Sequence, residues 1–168
     1  MNKGMSRAAG LAAVLMLAAC ASTGTGPKID ATKADGQVSA ARLIVYRAKA
    51  TIFGNGESIL RLDGAQTCWL GEGEALIKDL QPGSHTLVVD TPMTAGTSVL
   101  TISTEIGKTT YVSVSPNAKR IAAGMVFGFI GHLASADNET PRGGDTFLEL
   151  VSEDTAKKEM IDLSRCRS

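Results

Sequence analysis

Ser58-Ile59-Leu60-Arg61-Leu62-Asp63-Gly64-Ala65-Gln66-Thr67-Cys68-Trp69-Leu70 is the stretch whose reading decides the fold. Leu60 and Leu62 face one way and Arg61 the other, the period-two pattern of a half-buried strand. Asp63-Gly64 supplies two residues that tolerate positive φ, the chemistry of a tight hairpin turn. The chain then returns over residues 65–70, and Gly71-Glu72-Gly73 breaks it.

The same unit recurs on both sides. Ala41-Arg42-Leu43-Ile44-Val45-Tyr46-Arg47 reads as a first strand, with Leu43 and Val45 on one face and Ile44 and Tyr46 on the other. Residues 74–80 form a further strand, followed by Gln81-Pro82-Gly83, in which Pro82 presets φ and Gly83 supplies a positive one. Residues 84–90 place His85, Leu87 and Val89 on one face; residues 97–106 set Val99, Thr101 and Ser103 against Leu100, Ile102 and Thr104. Gly107-Lys108 turns the chain into residues 109–115, and residues 146–151 make a late strand. Ser152 to Asp154 offers a helix N-cap, and Ala156, Met160 and Leu163 follow at helical spacing. About eight short strands with turn chemistry between them predict an all-β fold, an antiparallel β-sandwich closed by a short C-terminal helix.

One segment breaks this rhythm. Residues 116–144 contain no clear strand, and connections of that length are uncommon and often functional. Inside them runs Ile121-Ala122-Ala123-Gly124-Met125-Val126-Phe127-Gly128-Phe129-Ile130-Gly131-His132-Leu133, apolar nearly all round. Two readings stand side by side. Either the segment is buried over an open end of the sandwich, or Met125, Phe127, Phe129 and Ile130 contact a partner or the membrane surface. Thirteen residues do not span a bilayer, which takes about 20.

The N-terminus predicts an address. Lys3 and Arg7 precede a short apolar core, residues 8–19, in the manner of a secretory signal. The core ends in Leu17-Ala18-Ala19-Cys20, which resembles the lipobox of bacterial lipoproteins. That resemblance implies a signal peptide over 1–19, lipidation of Cys20 and anchoring to a membrane through acyl chains. Ala21 follows rather than Asp; by resemblance to enterobacterial sorting, this favours the outer membrane, facing the periplasm. Polar residues 20–40 read as a flexible tether of some 25 Å average reach, and 41–168 as the domain.

The 168-residue chain carries 17 basic and 17 acidic side chains, and the signal takes Lys3 and Arg7 with it. Nothing in the slightly acidic remainder suggests nucleic acid, which wants a clustered basic surface. Cys68 and Cys166 are left as an even pair, read as a disulfide in an oxidising envelope, with two separate buried thiols as the alternative. A ring of about a hundred residues would contribute up to about 4.7 kcal/mol in the chain-entropy model.

Chemistry-bearing patterns are sparse. No phosphate-binding loop or dinucleotide fingerprint is present, and two His without a Cys/His cluster make no zinc site. No serine sits in a nucleophile elbow. His85, after a tight turn, reads as structural, bonded to the turn backbone or packed. Glu72 and Glu74 share a face but read as solvated acids in a Gly-rich turn. Trp69 reads as core against the disulfide rather than as a carbohydrate platform; Tyr46 is the other candidate platform. The sequence therefore assigns no catalytic residue, no metal ligand and no cofactor.

Taken in order, residues 41–47, Arg61-Leu62-Asp63-Gly64, Leu80-Gln81-Pro82-Gly83-Ser84-His85-Thr86-Leu87 and Gly107-Lys108-Thr109-Thr110-Tyr111-Val112 resemble domain-of-unknown-function family 2846, found in small bacterial lipoproteins. The Leu80-to-Leu87 portion also resembles PEGA-type β-sandwich modules. The resemblance covers about residues 41–163 and implies a β-rich fold and an envelope address, with no activity attached. The expectation is a non-enzymatic, lipid-anchored envelope module that contacts another envelope component through residues 116–144. The alternatives are a peptidoglycan-binding module and a hydrolase without a recognisable motif.

Overall fold

The computed structural model describes residues 27–29, 40–49, 56–119, 122, 125–126 and 140–168. The predicted signal segment 1–19, Cys20, Phe127, Phe129, Ile130 and His132 lie outside the described residues. The strands are β1 (Ala41–Arg47), β2 (Ser58–Leu62), β3 (Ala65–Leu70), β4 (Glu74–Leu80), β5 (Gly83–Asp90), β6 (Thr97–Thr104), β7 (Thr109–Pro116), β8 (Thr146–Val151) and β9 (Ser164–Arg165). One short helix, α1 (Glu153–Glu159), precedes β9.

These elements form the expected all-β sandwich. One sheet has the order β8-β7-β1-β4-β9 and the other β3-β2-β5-β6. Most ladders are antiparallel, but β1 pairs with β7 and β4 with β9 in parallel. Parallel partners cannot be joined by a hairpin. Between β1 and β7 the chain instead builds the other sheet, β2 and β3 before β4, and β5 and β6 after it, and α1 carries it from β8 to β9.

β1 shows why its sequence is apolar at successive positions. Leu43 and Val45 point between the sheets, against Leu60, Leu87, Val112 and Val114. Ile44 and Tyr46 point outward, yet are fully buried against Ala75, Tyr111, Ala156, Met160 and Leu163. α1 and the turn after it thus make a third layer over the five-stranded sheet. Each such aliphatic side chain contributes about 1.5–3 kcal/mol on full burial.

Local chemistry sets the helix. Ser152 Oγ accepts from Thr155 N at 3.2 Å, Glu153 and Asp154 open the first turn and Lys157 and Lys158 lie in the last, matching the helix dipole. Leu163 is not part of the helix. The chain leaves at Met160, turns through Asp162 at φ 58° and still delivers Leu163 to the same cluster.

Cys68 and Cys166 form a disulfide across a sequence separation of 98. Beside it, Trp69 N donates to Arg167 O at 2.7 Å, Arg167 N returns a bond to Trp69 O at 3.3 Å, and Arg167 pairs with Glu57. The C-terminal residues therefore join both sheets: β9 extends β4, and Arg167 bridges β3.

The tether expected over 20–40 is corrected in part. Arg165 N donates to Pro27 O at 3.0 Å, Ile29 N donates to Leu163 O at 2.7 Å, and Lys28 bridges Ser164. Ile29 packs on the outer cluster. An edge strand offers unpaired backbone groups, so three residues with one apolar side chain suffice to dock there.

Register defines two ends of the sandwich. Arg47, Glu74 and Ser164 share a row at one end of the larger sheet, where β7 finishes and β8 begins. We call this the Arg47 end. The Asp63-Gly64 and Gly107 turns lie at the opposite end, beside Ala40 and Ala41. The two ends are separated by β1, about 20 Å at 3.3 Å per residue.

Candidate functional site

The segment between β7 and β8 emerges at the Arg47 end, and its base is tightly built. Asn117, 7% exposed, donates its backbone N–H to Asp145 O at 2.7 Å and its side-chain amide to Arg142 O at 2.9 Å and Gly144 O at 3.1 Å. Ser98 Oγ accepts from Gly144 N at 2.9 Å and donates to Thr146 O. Val99 N donates to Thr140 O at 3.0 Å, and Leu148 N to Pro141 O at 2.8 Å. The Arg142 guanidinium stacks 4.4 Å from the centre of the Phe147 ring. A Cβ at Gly144 would stand 3.2 Å from both Gly96 O and Ser98 Oγ, so these neighbours would have to give by a few tenths of an ångström. The outgoing and returning chains are thus tied to each other and to β6, so that residues 118–139 form an excursion with joined ends.

Within it the described residues are Ala118, Lys119, Ala122, Met125 and Val126; all are helical and exposed. Met125 is 67% and Val126 72% exposed. At these two positions the reading of a segment buried over the sandwich is corrected. Phe127, Phe129 and Ile130, expected to act with Met125, lie outside the described residues.

The other candidates are placed as follows. His85 Nδ1 meets Asp63 Oδ2 at 2.7 Å and His85 Nε2 meets Gln81 O at 2.9 Å, while Asp63 Oδ1 accepts from Thr86 N at 2.9 Å. Asp63 raises the His85 pKa, with the Gln81 carbonyl adding to the effect, and His85 lowers that of Asp63. Both ring nitrogens are occupied, so none is left to take a proton from a nucleophile. The pair ties the β2–β3 turn to the β4–β5 turn.

Tyr46 is fully buried and donates to Glu159 Oε2 at 2.6 Å, so it is no carbohydrate platform. Trp69 is corrected in the other direction. Cys68 and Leu70 point into the core, so strand alternation turns Trp69 to the outer face, half-buried opposite Ile59. On the same face Arg61 and Asp90 pair at 3.4 Å.

Glu72 and Glu74 are not a solvated pair. Glu74 is 2% exposed and accepts from Gly71 N at 2.8 Å; Glu72 faces the buried Arg47 at 3.7 Å. Burial lowers the Arg47 pKa, opposed by the charge of Glu72, and Arg47 Nη1 donates to Gly56 O at 2.7 Å. This arginine was missed in the sequence because a strand-terminal Arg normally snorkels to solvent.

Among the described residues, no group of three His, Cys, Asp or Glu side chains stands where it would hold a metal ion, and no helix is long and apolar enough to cross a membrane. No protein-family model matches the chain, and no curated protein is significantly similar to it.

Proposed function

We propose that this protein is a lipid-anchored module of the bacterial cell envelope, attached through Cys20 to the outer membrane on its periplasmic side. Its sandwich binds rather than catalyses, and residues 116–144 form the contact element with another envelope component. The observation that carries the reading is the pairing of a buried polar base, built on Asn117 and Ser98, with apolar residues held out in solvent, Met125 and Val126. A chain gains nothing in folding free energy from exposed apolar side chains; such residues mark contact surfaces when they project together. The motif resemblance to family 2846 supports the same address.

Two measurements test this. Palmitate labelling of wild type against Cys20→Ser checks the anchor, and equal labelling overturns it. In vivo crosslinking of wild type against a variant lacking residues 121–133 checks the contact element. Loss of crosslinked species with the fold retained is expected; an unchanged set overturns it.

The outer face of the four-stranded sheet supports a second reading. Trp69 beside the Arg61–Asp90 pair offers a stacking surface next to hydrogen-bonding groups, the make-up of a glycan site. Peptidoglycan fragments should then change Trp69 fluorescence, and a silent titration rejects it.

A further inference from the structure

We propose that the Arg47 end of the sandwich rests on the lipid bilayer that holds the anchor, so that the partner of the apolar excursion is the membrane surface itself. This deepens the functional reading above and rests on its lipid anchor.

The placement of apolar side chains carries the inference. Met125 and Val126 are exposed on the excursion, whose base is at this end. Met93 is fully exposed at the tip between β5 and β6, also at this end because Asp90 pairs with Ile59 next to Ser58 and Leu70. Its backbone holds a φ of 65°, a conformation costly for a residue other than glycine. Ile161, 67% exposed, lies in the turn just before Ser164, again at this end. The remaining large exposed apolar side chains among the described residues are Ile106, at the opposite end, and Leu150, on β8.

These projections come from three separate loops. The excursion and the Ile161 turn stand at opposite edges of the five-stranded sheet, roughly 19 Å across at about 4.8 Å per spacing, and Met93 is on the other sheet. Lys28, Lys49, Lys119 and Arg142 are exposed on the segments at this end, as are Asp162, 3.8 Å from Lys28, and Glu159, which bonds Tyr46 beside Arg47. Among the described residues these tips form no single contiguous apolar patch. Scattered apolar tips interleaved with cations suit a membrane interface, where the tips enter the acyl boundary and the cations meet phosphates. Covalent reach agrees. Pro27 is docked on β9 at this same end, and six residues lie between it and Cys20, seven steps along the chain. At about 3.6 Å per residue, Cys20 stays within about 25 Å of it.

The test uses the full-length lipidated protein with Trp69→Phe, which removes its single native indole. It is reconstituted in vesicles of phosphatidylethanolamine and phosphatidylglycerol containing brominated phosphatidylcholine as quencher. Val126→Trp and, independently, Met93→Trp place an indole at the Arg47 end; Ile106→Trp places one at the other. Residues entering the acyl boundary predict quenching of about twofold or more for the first two and little for the third. Equal quenching at all three positions, or quenching confined to Ile106→Trp, overturns the proposal. A protein that carries palmitate and floats with the vesicles, yet shows unquenched emission from both Arg47-end probes, overturns the orientation and leaves the anchor. A protein without palmitate that stays soluble removes both.

Discussion

His85 and Asp63 form a 2.7 Å pair in which the imidazole also reaches the Gln81 carbonyl, so its protonated form fills both bonds with N–H donors. The neutral ring keeps one N–H and leaves a lone pair facing an oxygen. The folded-state pKa of His85 is therefore raised, first by the Asp63 hydrogen bond, and that of Asp63 is lowered, first by the His85 hydrogen bond.

The sign of the pH dependence follows. A raised His85 value stabilises the fold fully below the unfolded value of about 6.5, and the contribution is lost as pH rises through the folded value. A lowered Asp63 value stabilises above about 3.9, and the contribution is lost as pH falls through the folded value. The pair is at full strength between these limits. Urea midpoints for wild type and His85→Gln should differ more at pH 5.5 than at pH 8.5. A gap that is constant or widens with pH rejects the account.

The disulfide predicts a different kind of loss. Cys166 lies between β9 and the Arg167 bridge, so the Cys68–Cys166 bond holds the strand on which Pro27–Ile29 dock. Replacing both cysteines with serine should cost about 2–5 kcal/mol in denaturant unfolding. Amide exchange should rise first at Ile29, Cys166 and Arg167, ahead of β1. Uniform acceleration across the domain would show that the bond acts only through the unfolded chain.

The base of the excursion can be broken without touching its apolar residues. Gly144→Ala forces a Cβ against Gly96 O and Ser98 Oγ, and overpacking of this kind costs about 1–3 kcal/mol. Asn117→Ala leaves the Arg142 and Gly144 carbonyls without the side-chain donor and should cost about 1–3 kcal/mol. Because both act on one network, their effects should not add. A double variant whose loss equals the sum of the singles would show that the base is not one unit.

Much of this architecture is legible in the sequence because one rule governs it. Leu60, Leu62, Leu87, Ile102 and Val112 alternate with outward residues, and the turns between them carry Gly, Pro or Asp. What escaped depends on contacts far along the chain. β9 has two residues and the docked N-terminal piece three, too short for any periodicity to register. The parallel β1–β7 pairing is invisible in either strand alone. Trp69 is instructive, since alternation within its strand, with Cys68 inward, is enough to turn it outward. For the candidate site, the apolar composition of the excursion could be read directly. The base could not, because Asn117 and Gly144 look like ordinary loop residues until the fold brings them into hydrogen-bond contact and sets Ser98, on a distant strand, against Gly144 and Thr146.

The outer layer depends on one polar contact. Tyr46 is fully buried in β1, and its hydroxyl donates to Glu159 Oε2 at 2.6 Å, in the last turn of α1. Burial pushes the phenol pKa up and the neighbouring Glu159 charge adds to this, so the hydroxyl keeps its proton at any physiological pH. Tyr46→Phe keeps the ring against Met160 and Leu163 and removes only the donor. A hydrogen bond to a charged acceptor is worth about 1.5–3 kcal/mol, and the exposure of Glu159 places the loss at the lower end. Glu159→Gln retains an acceptor and should cost less than Tyr46→Phe. α1 and the turn after it lead directly into β9, so the phenylalanine variant should also raise amide exchange at Met160 and Ser164 before it raises exchange at Val112. If Tyr46→Phe is neutral in urea unfolding, apolar packing alone holds the third layer.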